Sequence, residues 1–277
     1  MVYWLVRFIV ALVLSVFAIE AIAKDTEYRL LVGSSLTTFN STMRLESETF
    51  GTQESIDFED DLKFDRQVNL FLLKLESRFA TNHQLSFSYL PLHRSAFAAS
   101  SDSFTYQQDT VAWGSQVHSA FNVNAIDVEY AYRMFDHHRF NLDLIGGVYW
   151  MQTELSLSVQ GEIRMNDNEY EATASYQNKS TSRAPLPLFG IASEFHLNDR
   201  WKASASFRYF KSSHHADEGE IVASIIATEY DLNDKWGIGA SYSFFDAGIF
   251  IEDSVLDFDS EIRWKYHGAN VYAYYRF

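Results

Sequence analysis

Apolar and polar side chains alternate along this chain with a period of two, and each alternating run ends at a short polar break. In the first run Tyr28, Leu30 and Val32 share one face and Arg29, Leu31 and Gly33 the other. Phe71, Leu73, Leu75 and Phe79 then oppose Lys74, Glu76 and Arg78, and Leu85, Phe87 and Tyr89 oppose Ser86 and Ser88. Val128, Tyr130, Tyr132 and Met134 oppose Asp127, Glu129 and Arg133; Phe140, Leu142, Leu144 and Val148 oppose Asn141 and Asp143. Leu186, Phe189, Ile191 and Phe195 form the outer set of a less regular run, with Glu194 inward. Trp201, Ala203, Ala205, Phe207 and Tyr209 oppose Lys202, Ser204, Ser206 and Arg208. A weaker run from Ile221 to Tyr230 places Glu229 inward. Next, Trp236, Ile238, Ala240, Tyr242 and Phe244 oppose Gly237, Gly239, Ser241 and Ser243. In the last run Trp264 and Tyr266 fall on the outer face, the phase slips at His267-Gly268, and Val271, Ala273, Tyr275 and Phe277 then oppose Tyr272, Tyr274 and Arg276. Successive side chains of a strand point to opposite faces, so each run predicts a strand that is apolar on one side and polar on the other. The slip predicts a glycine bulge, with a tight hairpin as the alternative.

The breaks fix the strand count. Thr81-Asn82-His83, Asp136-His137-His138, Asn198-Asp199-Arg200 and Asn233-Asp234-Lys235 are tight turns of residues that tolerate left-handed backbone and bond to their own main chain. Between successive breaks lie two strands and one longer polar segment. Four short turns join eight strands, and the terminal strands bring the total to ten, with eight or twelve as alternatives. Short turns at one end and long loops at the other are the pattern of an all-β, transmembrane, antiparallel up-and-down barrel. The long extracellular loops are expected near 46–65, 100–116 and 162–183, within a single barrel domain spanning 24–277. Shorter ones are expected at His214–Glu220 and Glu252–Ser260.

Composition supports the same class. Cysteine is absent, which removes disulfides, thiolate metal sites and cysteine nucleophiles. Aromatic residues make up 16% of the chain, and mean hydropathy is slightly negative at −0.18. Strands with one lipid face and one polar face combine these properties. A net charge of −15 opposes a nucleic-acid partner, which needs a basic patch. Residues 1–23 carry Arg7, an apolar run from Phe8 to Ile19 and Ala21-Ile22-Ala23, which reads as a signal peptide cleaved after Ala23. Its apolar run of about a dozen residues falls short of the roughly 20 a spanning helix needs. Phe79, Tyr132, Phe135, Phe140, Phe195, Trp201, Tyr230, Trp236 and Phe277 lie beside the short turns or the C-terminus, the place of an interfacial aromatic girdle.

Val271, Ala273, Tyr275 and the terminal Phe277 make this last strand resemble the closing strand of bacterial outer-membrane barrels. The resemblance implies pairing of last strand with first, and an assembly signal read by the barrel-assembly machinery. Ile56-Asp57-Phe58-Glu59-Asp60-Asp61-Leu62, followed by a strand, the turn at Asn82-His83 and Gln84-Leu85-Ser86-Phe87-Ser88-Tyr89-Leu90, is similar to a family of uncharacterised proteobacterial outer-membrane barrels. Trp264-Lys265-Tyr266-His267-Gly268 before a short aromatic tail adds to that similarity. It implies location in the outer membrane of a Gram-negative bacterium, among lipid and lipopolysaccharide, as a monomer. It carries no catalytic pattern.

Four constellations could carry chemistry. Asp57, Glu59, Asp60 and Asp61 offer oxygen ligands for a hard cation, but they lack the spacing and glycine of a helical calcium loop. A solvated loop, or one folded over the mouth on Ile56, Phe58, Leu62 and Phe64, is the favoured reading. His137-His138 and His214-His215 are adjacent pairs, which a strand points to opposite faces. No cofactor is implied. His93, His118 and His214 could serve a rim-sited hydrolase, but no short motif brings nucleophile, base and orienter together.

The inward charges come last. Lys74, Glu76 and Arg78, then Asp127, Glu129, Arg133 and Asp143, then Glu194, Lys202, Arg208, Glu229 and Arg276 mix both signs. Small barrels have interiors filled by side chains, and unpaired buried charge is costly, so these residues predict an ion-pair network plugging the lumen. Gly237, Gly239, Ser241 and Ser243 would leave one side roomy. The chain therefore reads as a non-enzymatic outer-membrane barrel with a structural or surface-interaction role and a largely plugged lumen. A narrow channel for small solutes is the alternative, and a rim-sited surface hydrolase the second alternative.

Overall fold

The computed structural model describes residues 26–47, 52–99, 104–106, 109–111, 116–165, 172–214, 217–253 and 258–277. The segment read as a signal peptide lies outside them, as does His215. Ten long strands build the wall: β1 (Glu27–Ser47), β3 (Gln67–Phe79), β4 (His83–Ala99), β7 (Gln116–His137), β8 (Phe140–Met165), β9 (Ala172–His196), β10 (Trp201–His214), β11 (Asp217–Asp231), β12 (Trp236–Asp253) and β13 (Phe258–Arg276). Three short strands, β2 (Thr52–Asp57), β5 (Phe104–Tyr106) and β6 (Asp109–Val111), lie in the long connections. Every wall pair is antiparallel, and the sheet closes because β8 pairs with β9 and β1 with β13.

Closure by the termini is extensive. Pairing runs from Arg29↔Arg276 to Glu46↔Asp259, and the ends exchange backbone bonds, Phe277 N to Tyr28 O at 3.0 Å and Tyr28 N to Phe277 O at 3.2 Å. The predicted turns all lie at that end of the barrel. Two of them are built on an asparagine: the Asn198 side chain accepts from Arg200 N and Trp201 N, and Asn233 from Lys235 N and Trp236 N. The outer face carries exposed apolar residues, Val271 at 64% and Ile226 at 68% among them. Aromatics ring the turn end, with Phe140–Phe195 centroids 4.7 Å apart, Trp201–Tyr230 4.9 Å and Trp236–Tyr275 4.7 Å.

The structure corrects several strand-level expectations. There is no bulge at His267-Gly268: β13 keeps one register with β1 and β12 throughout. Trp264 and Tyr266 point inward with Asn270, Tyr272 and Tyr274, and Trp264 is 3% exposed. The polarity pattern inverts because the outer face changes from Arg263, Lys265 and His267 to Ala269, Val271 and Ala273, while the parity of the strand stays constant. A register shift does occur in β7, between Arg133 and Phe135, and it leaves Met134 and Phe135 both exposed. Leu186 is a buried inner residue, beside Leu188, rather than a member of the outer set. Glycines 237 and 239 do not make the lumen roomy, because a Cβ there would run into the rings of Tyr274 and Tyr272. Those tyrosines lie across the glycines and fill the space they leave. The segment 162–183 is largely strand, since β8–β9 pairing continues to Ile163↔Ala172.

Two ladders stop short of their strands. β3–β4 pairing ends at Leu73↔Tyr89, and β9–β10 pairing ends at Tyr209↔Phe189, although all four strands continue away from the turn end. Extended by register, the β3–β4 ladder would next bring Pro91 opposite Phe71. The β9–β10 ladder would bring Pro187 and Pro185 opposite Lys211 and Ser213. These are all three prolines of the chain. Proline has no N–H to donate to a ladder.

The glycine–tyrosine packing is testable. Gly239→Val should lower unfolding stability in detergent by about 1–3 kcal/mol through overpacking against Tyr272. Ala240→Val, on the lipid face, should change it by less than about 0.5 kcal/mol. Urea titration of both variants checks the difference.

Candidate functional site: a two-storey lumen

Inner faces of the strands divide the lumen into two levels. Near the turns they carry charge. Arg29 Nε lies 2.9 Å from Glu76, and its Nη1 and Nη2 donate to Glu229 at 2.9 and 2.7 Å. Lys74 pairs with Glu76 at 2.9 Å. Arg208 forms a two-pronged pair with Glu129 across the lumen, and Arg133 bonds Asp143 at 3.0 Å. Arg276 donates to Asp231 at 2.6 Å, Lys202 lies 3.7 Å from the same carboxylate, and the Tyr274 hydroxyl also donates to it. Arg29 and Arg276 both lie over the Tyr274 ring, at 4.6 and 5.1 Å. Tyr272 donates to Glu229 at 3.0 Å. Glu194 meets His196 at 3.3 Å, and Arg78 donates to Gln84 at 3.1 Å.

Ten of the twelve inward charges singled out in the sequence thus meet an oppositely charged group, counting His196 as such when protonated; Arg78 is bonded to an amide, and Asp127 Oδ1 is buried with no hydrogen-bond partner among the described residues. Sequence reasoning missed Arg29 and Asp231. Both share the parity of recognised inward residues, Asp231 being two positions after Glu229. A cavity of about 360 Å³ occupies this level, lined also by Ser86, Ser88, Ser204, Ser206, Ser241, Ser243 and Asn270.

Above it, the lumen is apolar and full. The first connection turns inward: Phe58 N donates to Ser41 O at 2.9 Å, and Phe39 N accepts the returning chain by donating to Arg66 O at 2.8 Å. Ile56, Phe58, Leu62 and Phe64 are 2–5% exposed. Phe58 meets Phe121 edge-on at 5.3 Å, and Phe245 stacks on Tyr266 at 4.9 Å. One ion pair is sealed inside this plug. Glu59 and Arg94 side chains are 0% and 2% exposed and 2.7 Å apart. Glu59 also accepts from Ser41 N at 2.7 Å, Arg94 donates to Asp65 O at 2.8 Å, and the guanidinium sits 5.0 Å from the centroids of Phe39 and Phe64. Arg94 escaped the sequence reading because β4 was followed only to Tyr89; its parity continues that of Ser86 and Ser88.

The acidic cluster is occupied by its own loop. Asp57 accepts from Glu59 N and Asp60 N, Asp61 accepts from Asp57 N, and Asp60 pairs with Arg66 at 2.6 Å. The bond to Asp60 raises the Arg66 guanidinium above its ordinary value. Among the described residues no group of three or more His, Asp or Glu could hold a metal ion. His93 and His118 are exposed and share the outer parity of β4 and β7, facing away from the mouth. His137 and His138 lie side by side at the β7–β8 turn, their ring centroids 4.1 Å apart and their planes tilted by 51°. The side chain of His214 lies outside the described residues.

No protein-family model matches the chain, and no curated protein sequence matches it. Solved structures do. The outer membrane protease OmpT from Escherichia coli has a TM-score of 0.57 and 9% identity, covering 91% of this chain and 97% of its own. The attachment invasion locus protein Ail of Yersinia pestis has 0.34 and 11%, covering 91% and 99%. The toluene transporter TodX of Pseudomonas putida has 0.37 and 9%, covering 92% and 90%. At such identities the likeness to OmpT concerns the fold alone, and the fold is that of an outer-membrane β-barrel.

Removing one partner of a dry ion pair strands the other charge. Arg94→Met should cost about 3–5 kcal/mol of unfolding stability. Glu59→Leu combined with Arg94→Met should recover most of it, giving a large coupling energy in a double-mutant cycle. A loss under about 1 kcal/mol in Arg94→Met would show that the pair does not hold the plug.

Proposed function

We propose that this protein is an outer-membrane barrel closed at its outer mouth by its own first connection, with a structural or surface-interaction role and no catalytic step. The observation that carries this reading is the Glu59–Arg94 pair sealed among Phe39, Phe58 and Phe64, side chains that fill the upper lumen among the described residues. A conducting pore needs a continuous polar path, and here the polar level ends beneath an apolar one. The outward placement of His93 and His118 supports the absence of a rim-sited dyad built on either of them.

The chain is exported through a signal peptide cut after Ala23. The assembly machinery reads Val271, Ala273, Tyr275 and Phe277, of which Val271 and Phe277 are 64% and 60% exposed on the lipid face. The barrel sits as a monomer in the outer membrane among lipid and lipopolysaccharide. The strands β7, β8 and β9 continue far beyond the lipid band and offer the surface through which a partner would be met. A second reading, a narrow channel for small solutes, is favoured by the polar cavity of about 360 Å³ under the plug.

Planar-bilayer recording of the folded mature chain separates the two. Wild-type protein should be silent, and deletion of residues 57–65 should produce discrete conductance steps. Steps of reproducible size in the wild type would replace the closed-barrel reading with the channel.

A further inference from the structure

We propose that the chamber beneath the plug is a binding site for a small, hydroxyl-rich solute carrying one cationic amine, with Asp127 as its anchor. Its volume of about 360 Å³ suits a small molecule. Around Asp127, Arg29 pairs with Glu76 and Glu229, Lys74 with Glu76, and Arg208 with Glu129. Each cation is committed to a carboxylate other than Asp127. Asp127 Oδ1 is left buried and without a hydrogen bond, and a buried acceptor in that state is costly until something donates to it. A metal ion fits poorly, since only one carboxylate is free. An ammonium group needs just one, together with neutral acceptors. Eight serine hydroxyls, each able to donate and accept, supply those and match the hydroxyls of a polyol. The cavity lining runs down to Arg133, Asp143 and Lys202 beside the short turns, so the solute enters from the periplasmic end; only that direction of entry rests on the closed-mouth reading.

The test is titration calorimetry on folded protein in detergent with glucosamine, glucose and glucuronate, which share a shape and differ in charge. Both barrel ends are then accessible, so the outcome does not depend on conduction. Saturable glucosamine binding at least about tenfold tighter than glucose or glucuronate is expected. Asp127→Asn should reduce glucosamine to the level of glucose, and Ser88→Leu, which projects into the cavity, should abolish binding. No saturable glucosamine binding, equal binding of the three sugars, or an unchanged Asp127→Asn would overturn the site. If Asp127→Asn does not fold, the charge preference of the wild type and the Ser88→Leu result decide.

The interrupted ladders carry a second inference independently. We infer that the outer mouth consists of two blades that can part without breaking a backbone hydrogen bond. Above Leu73↔Tyr89 and Tyr209↔Phe189, one blade is β4-β7-β8-β9 and the other is β10-β11-β12-β13-β1-β3. The plug belongs to the second blade, bonded to β1 through Ser41 and Phe39. It meets the first blade through Glu59 and the Asp65 carbonyl to Arg94 and through Phe58 to Phe121, and Phe245 of β12 adds a contact with Tyr149 at 5.4 Å. Arg94 is therefore the latch.

The chain has no cysteine, so paired spin labels can be placed freely. Labels at Asn69 and Ser95 span the split, and labels at Leu75 and Phe87 span the paired wall below it. In wild-type protein both distance distributions should be narrow. Arg94→Met should broaden and lengthen the upper one and leave the lower one unchanged. An upper distribution that stays narrow in Arg94→Met, or two distributions that change together, would overturn the blades.

Discussion

Ten tilted strands enclose more space than the wall's own side chains can fill everywhere, and how that space is filled governs the rest of the structure. Near the turns it is filled by large tyrosines lying over glycines and by paired charges; farther out it is filled by a piece of chain borrowed from the first connection. Both solutions spread each buried guanidinium over several partners, because an unpaired buried charge is costly. Arg29 is shared between two carboxylates and a tyrosine ring, and Arg94 between a carboxylate, a carbonyl and two phenylalanine rings.

The two levels have different energetics. The lower charges lie in a cavity where water can still reach them, with side chains such as Asp143 and Lys202 retaining 19% and 18% exposure. Pairs there are worth little individually and act as a network. The single pair in the plug is dry, so its value lies less in net stability than in specifying one geometry, since either partner alone would be intolerable. This makes the plug an all-or-none element, seated with its pair intact or not seated at all.

Strand number, turn positions, lipid face and most inward charges were legible in the sequence, because a period of two is imposed by the backbone and survives in the side chains. What escaped it had several physical causes. Around Leu186 both faces are apolar, so alternation in polarity disappears although alternation in direction does not. At Trp264 and Tyr266 the outer neighbours Arg263, Lys265 and His267 are the polar ones, so the pattern is inverted and reads as a phase slip. Gly237 and Gly239 were legible as inward positions, but the tyrosines that cover them come from β13, a neighbour that no local pattern identifies. Asp57 to Asp61 read as a cation candidate because composition shows ligands and hides their internal hydrogen bonds. Arg94 was hidden because the polar–apolar alternation of β4 is clear only as far as Tyr89, although the strand runs on to Ala99.

The seam between β1 and β13 joins residues nearly the whole chain apart, Arg29 with Arg276. Non-local contacts of this kind make the loop-closure entropy fall due before most of the pairing energy is gained, and they slow folding. The order of the strands sharpens this: the partner of β1 is β13, and every other wall strand lies between them in the chain. Until β13 arrives β1 has a bare edge, and a bare edge is an invitation to pair wrongly. The barrel can therefore close only once β13 has been made, so its first strand spends the making of all the others waiting for a mate.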